Sequence, residues 1–461
     1  MINNTENQVK VTFLGASQVV TGSKYLLETY GLNVLIDCGM FQGLKELREL
    51  NWRDLSIDVP AIDVVLLTHG HLDHVGYLPR LVKQGFSGKI IGTAPTLAIA
   101  EIILKDSAKI HEESAEKANK EKFTKHDPAL PFYTIRDAEQ TIRLFQSQEP
   151  EKWHTLSEFF KYRFQYNGHI LGATFIELDV FEKRFVFSGD IGRRDDYLLV
   201  APKRPEWADF LFIESTYGNR LHPEEDVETI LTDLVKETIH NRGNLIIPSF
   251  AVERLQTLMY VLWKLYKENR IPNIPIIVDS PMGQNVLEVF RQFPDWHKLT
   301  ASEYDAMCNH VTITESYKDT WKAIDDKRAK IVIAGSGMVT GGRVLTYLQQ
   351  LIDEKNTTVL LVGYQAEGTR GRQLLDGAHE IKFFGKYYPV NAKVMHLQSL
   401  SAHADQKDLL HWMGAIKNIP EKVFLIHGEP AAMDAFRVKI QTELKWQVSM
   451  PKLDDVEIFN V

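Results

Sequence analysis

The segment VVLLTHGHLDHVGYLPRL, from Val64 to Leu81, joins a short apolar run to a dense group of metal-binding side chains. The group has the pattern H-x-H-x-D-H and consists of His69, His71, Asp73 and His74. Because only 16 of the 461 residues are histidine, chance would produce such a string with odds on the order of one in a thousand. The apolar run is typical of a buried strand, and imidazole and carboxylate groups together suit Zn²⁺. The segment therefore predicts a metal site at the end of a strand.

The spacing within this group favours two adjacent metal ions over one. A catalytic zinc ion takes about three protein ligands and leaves one position open. Candidate ligands crowded into one short segment cannot all reach a single ion with good geometry, so a pair of ions is the better interpretation. A pair of ions needs further ligands from elsewhere in the chain.

Further candidate ligands follow other strand-like runs. His169 lies in a glycine-flanked turn, Asp190 follows RFVFSG, and His427 follows KVFLI. Each could be an ordinary turn residue on its own, but together with the first group they complete a ligand set. Strand ends at one edge of a sheet are where ligand sites gather in open α/β folds. Asp37 follows NVLI in the same way, and we expect it to support a ligand or orient a water molecule rather than bind metal.

Strand-like and helical patterns alternate along most of the chain. Short apolar runs such as those in GNLIIPSFA and KIVIAGSG end abruptly in polar or glycine-containing turns, as strands covered on both faces do. Helical periodicity lies between such runs, most clearly in residues 94–121, 225–241 and 254–268. The alternation predicts an α/β protein.

The length of the chain favours two domains, because a single core rarely grows to 461 residues. Two stretches break the alternation, residues 200–209 and residues 382–394, and both are predicted domain edges. The middle segment is then an insertion into a domain that is built from the two ends of the chain. The predicted parts are residues 1–208, 209–385 and 386–461.

The composition is that of a soluble globular chain, with 44% hydrophobic and 25% charged residues. A net charge of −8 argues against a generally basic nucleic-acid-binding protein, but leaves open a local basic groove or a metal site that faces phosphate. Cys38 and Cys308 are expected to be reduced. The first residues lack the pattern of a signal peptide and no apolar run is long enough to span a membrane, so we expect neither feature and predict a cytoplasmic protein.

The histidine cluster, followed by isolated His, Asp and His residues, resembles the metallo-β-lactamase superfamily. The resemblance implies an αβ/βα sandwich with a site for two zinc ions at one edge. It also implies the assignment of the ligands: one ion is held by His69, His71 and His169, the other by Asp73, His74 and His427, and Asp190 bridges the two.

Three further segments resemble the signatures of the β-CASP branch, the nucleic-acid nucleases of this superfamily. They are FIESTYGNR at 212–220, SLSAHADQ at 399–406 and FLIHGE at 424–429. Glu214, His403 and His427 fall on the motif positions. The resemblance covers nearly the whole chain and implies that the inserted middle segment is a β-CASP α/β domain. The chain resembles the bacterial and archaeal relatives of the endonuclease subunit of the eukaryotic pre-mRNA 3′-end cleavage factor.

Details of the motifs favour RNA over DNA and endonuclease over exonuclease activity. The last motif carries His427, as in RNA-processing members, where DNA-repair members usually have valine. Residues 335–338 read GSGM, where ribonuclease J types usually carry GSQGEP. Ribonuclease J types also continue into an extra C-terminal domain, whereas the final motif here lies near the last residue, Val461. A 5′–3′ exoribonuclease, a DNA-acting nuclease, a hydrolase of small molecules and a non-catalytic RNA-binding scaffold stay open as alternatives.

The resemblance implies hydrolysis of single-stranded RNA that leaves a 5′-phosphate and a 3′-hydroxyl. We expect the metal-bound hydroxide to attack phosphorus, positioned by Asp190 and Asp37. His403 is the candidate proton donor to the leaving oxygen, and Glu214 is expected to hold its ring. The segment LSAHADQKDLL also predicts a helix that is capped by Ser401.

Candidate RNA contacts lie in the middle domain. The residues that follow strand-like runs there and could bind phosphate or lie near it are Arg254, Arg343, Arg370, Arg372 and Ser336. Taken alone, each arginine is more readily explained as an ordinary surface residue than as an RNA contact. RNA is the expected partner, no membrane association is expected, and a homodimer or an RNA-processing assembly stays open.

Overall fold

The computed structural model describes residues 8–122 and 126–461 and divides into two compact units. Unit 1 contains the described parts of Met1–Arg194 together with Ala201–Leu221 and His403–Val461. Unit 2 contains Asp195–Val200 and His222–Ala402. Both ends of the chain thus build one unit and the middle builds the other, which confirms the predicted insertion.

The strands of the described residues, in chain order, are β1 (Gln8–Phe13), β2 (Tyr25–Thr29), β3 (Leu32–Ile36), β4 (Val64–Leu66), β5 (Lys89–Gly92), β6 (Phe145–Ser147), β7 (His154–Ser157), β8 (Phe160–Tyr166), β9 (Thr174–Val180), β10 (Lys183–Phe187), β11 (Phe210–Glu214), β12 (Asn244–Ser249), β13 (Ile276–Asp279), β14 (Thr312–Ile313), β15 (Lys330–Gly335), β16 (Thr357–Val362), β17 (Glu380–Phe383), β18 (Lys386–Pro389), β19 (Lys393–Leu397), β20 (Lys422–Ile426), β21 (Val448–Ser449) and β22 (Val456–Asn460).

The helices of the described residues are α1 (Lys45–Leu50), α2 (Leu72–Val75), α3 (Leu78–Lys83), α4 (Ala94–Glu121), α5 (Ile135–Ile142), α6 (Val227–His240), α7 (Arg254–Lys267), α8 (Pro281–Gln292), α9 (Ala301–Asn309), α10 (Tyr317–Asp325), α11 (Val344–Leu351), α12 (Arg370–Leu375), α13 (Gln406–Met413) and α14 (Pro430–Glu443). Short 3₁₀ turns lie at Val59–Ala61 and Pro294–Trp296. The strand and helix alternation predicted from the sequence is confirmed, including helices over 94–121, 225–241 and 254–268.

Unit 1 is a sandwich of two seven-stranded sheets. The first sheet has the order β22-β1-β2-β3-β4-β5-β6, and the second has the order β21-β20-β11-β10-β9-β8-β7. Helix α4 packs against the first sheet, and α13 and α14 cover the second. The structure therefore has the helix–sheet–sheet–helix layering that the resemblance implies.

Aromatic side chains join the two sheets of unit 1. Phe13 on β1 contacts Phe212 on β11 and Phe424 on β20, with ring centroids 6.0 and 5.6 Å apart. All three rings are buried. Replacing one of them with alanine would destabilise the sandwich by about 3–5 kcal/mol, because both the transfer energy and the packing are lost. This packing holds the strand ends of the two sheets next to each other.

Unit 2 has a parallel sheet with the order β14-β13-β15-β12-β16-β19 and a separate hairpin, β17-β18. The central strands are buried along their whole length, as strands with helices on both faces must be. Helices α6 and α11 pack against β12. The carboxyl ends of these parallel strands lie at the same edge of the sheet.

The predicted domain edges do not coincide with the limits of the compact units. Strand β11 lies in the predicted insertion, 209–385, but pairs with β10 and β20 in unit 1. Strand β19 lies in the predicted third part, 386–461, but pairs with β16 in unit 2. The second unit therefore consists of Asp195–Val200 and His222–Ala402. The hydrogen-bonded partners of a strand assign it to a unit, and the loop composition does not.

The predicted helix cap at Ser401 is wrong. Helix α13 begins at Gln406, and its cap is Asp405, whose side chain accepts a hydrogen bond from Asp408 N at 2.9 Å. Serine and aspartate are both good N-caps, but a carboxylate also interacts favourably with the helix dipole. The helix cap therefore lies at Asp405 and not at the predicted Ser401.

Three predictions concern membrane segments, cysteines and a signal peptide. No helix within residues 8–122 and 126–461 is long and apolar enough to cross a membrane. Cys38 and Cys308 are both free, as predicted. The predicted absence of a signal peptide concerns a segment whose first part, residues 1–7, lies outside the described residues.

Candidate metal centre and its relatives

The seven candidate ligands of unit 1 come from strand ends and turns of both sheets. They are His69 and His71 after β4, Asp73 and His74 in α2, His169 between β8 and β9, Asp190 after β10, and His427 after β20. All are buried except His71 and Asp73, which are partly buried. Residues far apart in sequence meet here because the sandwich places these strand ends at one edge.

A first group of donor atoms consists of three imidazoles. His71 Nδ1 lies 3.1 Å from His69 Nε2 and 3.2 Å from His169 Nε2. The carboxylate of Asp190 closes the group, with Oδ2 3.5 Å from the Nε2 atoms of both His69 and His169. One atom from each of these four residues lies within 4.8 Å of all the others, so the four could hold one ion.

A second group lies beside the first. His74 Nε2 is 3.4 Å from His427 Nε2, and Asp73 Oδ2 is 3.3 Å from His427 Nε2. These donor atoms also lie within 4.8 Å of one another, so Asp73, His74 and His427 could hold an ion.

Asp190 faces both groups, one with each carboxylate oxygen. Its Oδ2 atom faces His69 and His169, and its Oδ1 atom lies 3.3 Å from His74 Nε2 and 3.6 Å from His427 Nδ1. Oδ1 is buried and accepts no hydrogen bond from any described residue. A buried carboxylate oxygen without a hydrogen bond is costly, and a cation between it and the imidazoles would lower that cost.

The chemistry of the donor set fits a divalent metal ion. Imidazole nitrogen and carboxylate oxygen are common ligands of zinc, and histidine must be neutral to bind it. Burial lowers the pKa of His71 to about 4. Burial, with the neighbouring His74, also lowers the pKa of His69, and burial with His403 lowers that of His169. The three imidazoles of the first group are thus neutral at pH 7, which is the form that binds metal.

Asp37 supports one of these imidazoles. Its Oδ2 atom is 2.7 Å from His74 Nδ1, and it also accepts a hydrogen bond from Thr68 Oγ1 at 2.7 Å. Its Oδ1 atom accepts one from Thr68 N, also at 2.7 Å. Because Thr68 and His74 contact both oxygens, the geometry favours the ligand-supporting alternative over orientation of a water molecule.

Two threonines contact candidate ligands and are absent from the sequence-based prediction. Thr68 Oγ1 lies 3.1 Å from His69 Nδ1, and Thr216 Oγ1 lies 3.1 Å from His427 Nδ1. These hydroxyls orient the rings. Their positions in the sequence are a usable signal, since Thr68 immediately precedes the histidine cluster and Thr216 lies in the FIESTYGNR segment.

His403 and Glu214 form a pair next to the ligands. His403 Nδ1 is 3.1 Å from Glu214 Oε2, and His403 Nε2 is 4.0 Å from Asp190 Oδ2. Glu214 is fully buried and also accepts a hydrogen bond from Ile191 N at 2.6 Å. One nitrogen of the His403 ring is therefore held by a fixed carboxylate, while the other points toward the metal ligands.

An extended segment places His403 at this edge. His403 forms an isolated β-bridge with Gly192, and Ala404 N donates a hydrogen bond to Ile191 O at 2.7 Å. Gly192 also lies against the turn that carries His169: a Cβ atom there would lie 1.9 Å from Gly168 O. Only glycine permits the backbone at residue 192 to lie this close to Gly168. The close contact keeps the His169 turn, the Asp190 loop and the His403 segment side by side.

Burial and nearby carboxylates act in opposite directions on His403. Burial by itself lowers its pKa, but Glu214, Asp190 and Asp73 together raise the pKa to about 9. The ring is therefore protonated at neutral pH in the described arrangement, and a protonated imidazole can donate a proton.

The five predicted substrate-binding residues all lie in unit 2, and three of their arginines have internal partners. Arg343 Nη1 forms a 2.9 Å ion pair with buried Asp279. Arg370 Nε donates to Lys382 O at 2.7 Å, and Arg372 forms a surface ion pair with Asp376 at 2.9 Å. These arginines have structural contacts that compete with binding of phosphate.

Arg254 and Ser336 differ from those three. Arg254 is buried, its Nε atom has no hydrogen-bond partner among the described residues, and its Nη2 atom lies 3.6 Å from Glu253 Oε2. Ser336 Oγ lies 3.0 Å from Thr340 Oγ1. All five residues stay predictions as substrate contacts.

Three family models match this chain. The metallo-beta-lactamase superfamily model matches residues 19–222, the Beta-Casp domain model matches residues 255–374, and the Zn-dependent metallo-hydrolase RNA specificity domain matches residues 387–451. Ribonuclease TTHA0252 of Thermus thermophilus is 32% identical over 431 residues, which cover 91% of this chain and 93% of that protein. This chain belongs to the Beta-Casp family of metallo-β-lactamase nucleases.

Other Beta-Casp relatives match over a similar length. An RNase J-like protein of Methanocaldococcus jannaschii is 32% identical over 448 residues, covering 96% of this chain and 98% of that protein. Cleavage and polyadenylation specificity factor 73 of Drosophila melanogaster is 28% identical over 470 residues, covering 100% of this chain and 65% of that protein. The predicted resemblance to the Beta-Casp branch and to the cleavage-factor subunit is confirmed.

Proposed function

We propose that this chain is a zinc-dependent ribonuclease that hydrolyses phosphodiester bonds within single-stranded RNA. The observation that carries the proposal is Asp190, whose two carboxylate oxygens face two separate groups of metal-binding side chains. The family supports hydrolysis of a nucleic acid, and the relative from Thermus thermophilus is named a ribonuclease.

Two zinc ions would be held by the residues that line these groups. His69, His71 and His169 would bind one ion, Asp73, His74 and His427 the other, and Asp190 both. When bound, such ions offset the charge of a phosphodiester and lower the pKa of water to about 7. The carboxylates of Asp190 and Asp73 reduce the net charge of the loaded site, which keeps binding of the ions favourable.

The protein supplies the proton that hydrolysis requires. The reaction joins a water oxygen to phosphorus and breaks the bond from phosphorus to the 3′-oxygen, which leaves with a proton. His403 is the donor, because its Nε2 atom points toward the ligand cluster while Glu214 holds Nδ1. The products would carry a 5′-phosphate and a 3′-hydroxyl.

Asp37 would act through His74 and not on the substrate. Its contact with His74 Nδ1 fixes the ring so that Nε2 faces the second metal group. This role replaces the expectation that Asp37 positions the attacking hydroxide.

RNA is the proposed substrate, and a cytoplasmic location stays a prediction. The complete set of candidate ligands favours an enzyme over a scaffold. The relatives named above include both an RNase J-like protein and a cleavage factor, so their names alone do not separate exonuclease from endonuclease activity.

Circular and linear forms of one single-stranded RNA provide the test. We expect the purified chain to contain zinc and to open the circle, and we expect the His403→Ala variant to contain the same zinc and leave the circle intact. A matched DNA circle should be cut more slowly. Intact circles beside degraded linear RNA would instead establish an exonuclease, and a protein without bound metal would contradict the proposal.

A further inference from the structure

The β17–β18 hairpin of unit 2 ends in an exposed aromatic tip. Phe383 pairs with Lys386, so the turn consists of Phe384 and Gly385. Their φ angles are 45° and 85°, both in the left-handed region. This is the geometry of a type I′ turn, which favours Asn-Gly because bulky residues rarely adopt a positive φ at the first position. The phenylalanine is therefore unfavourable for the turn itself.

A second hairpin shows what normally compensates for such a residue. Phe181 and Glu182 connect β9 to β10 with φ angles of 50° and 65°. Phe181 stacks on Phe159 with ring centroids 5.1 Å apart and packs against the hydrophobic core of unit 1. Phe384, by contrast, is 57% exposed and forms no ring contact with any described residue. Packing against the core explains why phenylalanine occupies the turn at residue 181, but it does not explain the phenylalanine at residue 384.

The surroundings of Phe384 are aromatic and basic. Tyr387 is 62% exposed and pairs across the hairpin with Lys382, whose Nζ atom lies 5.4 Å from the ring centroid. Lys386 is exposed in the strand after the turn. Neither lysine forms an ion pair with any part of the chain that the structure describes. Glu380 is the one acidic residue of the hairpin.

The hairpin is held firmly from its inner face. Ile381 and Phe383 are buried in the core of unit 2, and Arg370 Nε donates a hydrogen bond to Lys382 O at 2.7 Å. The exposed rings are therefore presented from a fixed backbone, and binding to them would need little ordering of the chain.

We propose that this hairpin is an accessory binding site for single-stranded RNA, with Phe384 and Tyr387 stacking on bases and Lys382 and Lys386 contacting phosphates. Sites for single-stranded nucleic acid combine aromatic rings with unpaired cations in this way. Lysine is depleted at the centres of protein–protein interfaces, which argues against a protein partner or a second copy. The choice of RNA as ligand rests on the proposed function.

Another exposed aromatic residue of unit 2 provides a matched control. Trp321 is 44% exposed, but its neighbour Lys322 forms an ion pair with Asp319 at 2.9 Å. Lys322 therefore already has a carboxylate partner, unlike Lys382 and Lys386. We therefore expect Trp321→Ala to leave RNA binding unchanged.

The test measures the affinity for a fluorescent single-stranded oligouridylate in a His403→Ala background, which prevents cleavage. Phe384→Asn removes the ring and introduces the residue that the turn prefers, so the thermal midpoint should not fall. We expect binding to weaken about tenfold, the effect of one lost base stack. Replacing Lys382 and Lys386 by alanine should reduce the slope of log affinity against log salt by about 0.7 per lysine.

Several results would overturn the inference. They are an unchanged affinity and salt slope in the hairpin variants, an equal loss of affinity in Trp321→Ala, or a change of mass in sedimentation that assigns the hairpin to contacts between copies. Because binding is measured without cleavage, a chain that binds through the hairpin but cuts no RNA would contradict the proposed function alone. A chain that cuts RNA but binds independently of the hairpin would contradict this inference alone.

Discussion

Polar side chains follow the carboxyl ends of strands in both units, but they form different kinds of cluster. In unit 1, Asp190 Oδ1 is buried without a hydrogen-bond donor, and imidazole nitrogens face it. In unit 2, Asp279 at the end of β13 contacts Arg343, Thr320 and Tyr347 at 2.7–2.9 Å, so both of its oxygens are occupied.

The difference identifies what makes a strand end a binding site. Position at the ends of neighbouring strands brings polar residues together in the mixed sheets of unit 1 and in the parallel sheet of unit 2. A cluster can bind a ligand only if its donor and acceptor atoms have not already satisfied one another. By this criterion the cluster of unit 1 is a candidate site, and the Asp279 network of unit 2 is part of the structure.

The largest expected effect comes from removing the carboxylate that faces both groups. Asp190→Ala should abolish detectable RNA cleavage and lower zinc affinity by more than the roughly 100-fold that loss of a supporting residue can cause. Zinc content after dialysis, together with cleavage of single-stranded RNA, measures this. If the Asp190→Ala variant retained two tightly bound ions, Asp190 would only neighbour the site. The contrast between the Asp190 cluster and the Asp279 network would then be wrong.

His403→Ala should separate catalysis from metal binding. We expect the cleavage rate to fall by about 10²–10⁴-fold, the usual contribution of a general acid, while zinc content stays unchanged. Glu214→Gln keeps the shape of the supporting residue and should cause a smaller loss. Single-turnover cleavage of RNA measures both rates, and a variant of His403 that loses zinc would show that the ring binds metal instead.

Asp279→Ala tests the opposite side of the comparison. It leaves the nearly buried guanidinium of Arg343 without its carboxylate, so the free energy of unfolding should fall by about 3–5 kcal/mol. Zinc content should not change. Arg372→Ala is the control, because its ion pair with Asp376 is exposed and should contribute less than about 1 kcal/mol. Denaturant unfolding measures both, and equal stabilities would show that the buried network is dispensable.

The smallest effect is expected at Asp37. Asp37→Ala removes the acceptor for His74 Nδ1 and should lower zinc affinity by about 10–100-fold without abolishing binding. Competition with a zinc chelator measures the affinity. If Asp37 positioned only the attacking water, the affinity would be unchanged and only the cleavage rate would fall.

Much of the candidate site was predictable because its information is local. The H-x-H-x-D-H string places its candidate ligands in one short segment after a single strand. His169, Asp190 and His427 each follow an apolar run. The start of helix α13, which follows His403, was harder to predict. Ser401 and Asp405 are both residue types that cap helices well, and only the hydrogen bond from Asp408 N to Asp405 distinguishes them. The limits of the inserted unit depended on the strand partners of β11 and β19, which no local pattern encodes.

The sequence by itself determined the α/β alternation, the family and which side chains are candidate ligands, because periodicity and short spacings act between near neighbours in the chain. Only the tertiary structure decided that the oxygens of Asp190 face different groups and that Asp37 supports His74. It also decided that the ring of Phe384 is left exposed where that of Phe181 is packed. Each of these outcomes depends on which atoms from distant segments form hydrogen bonds or packing contacts with one another. Those partners are determined only when the sheets pack.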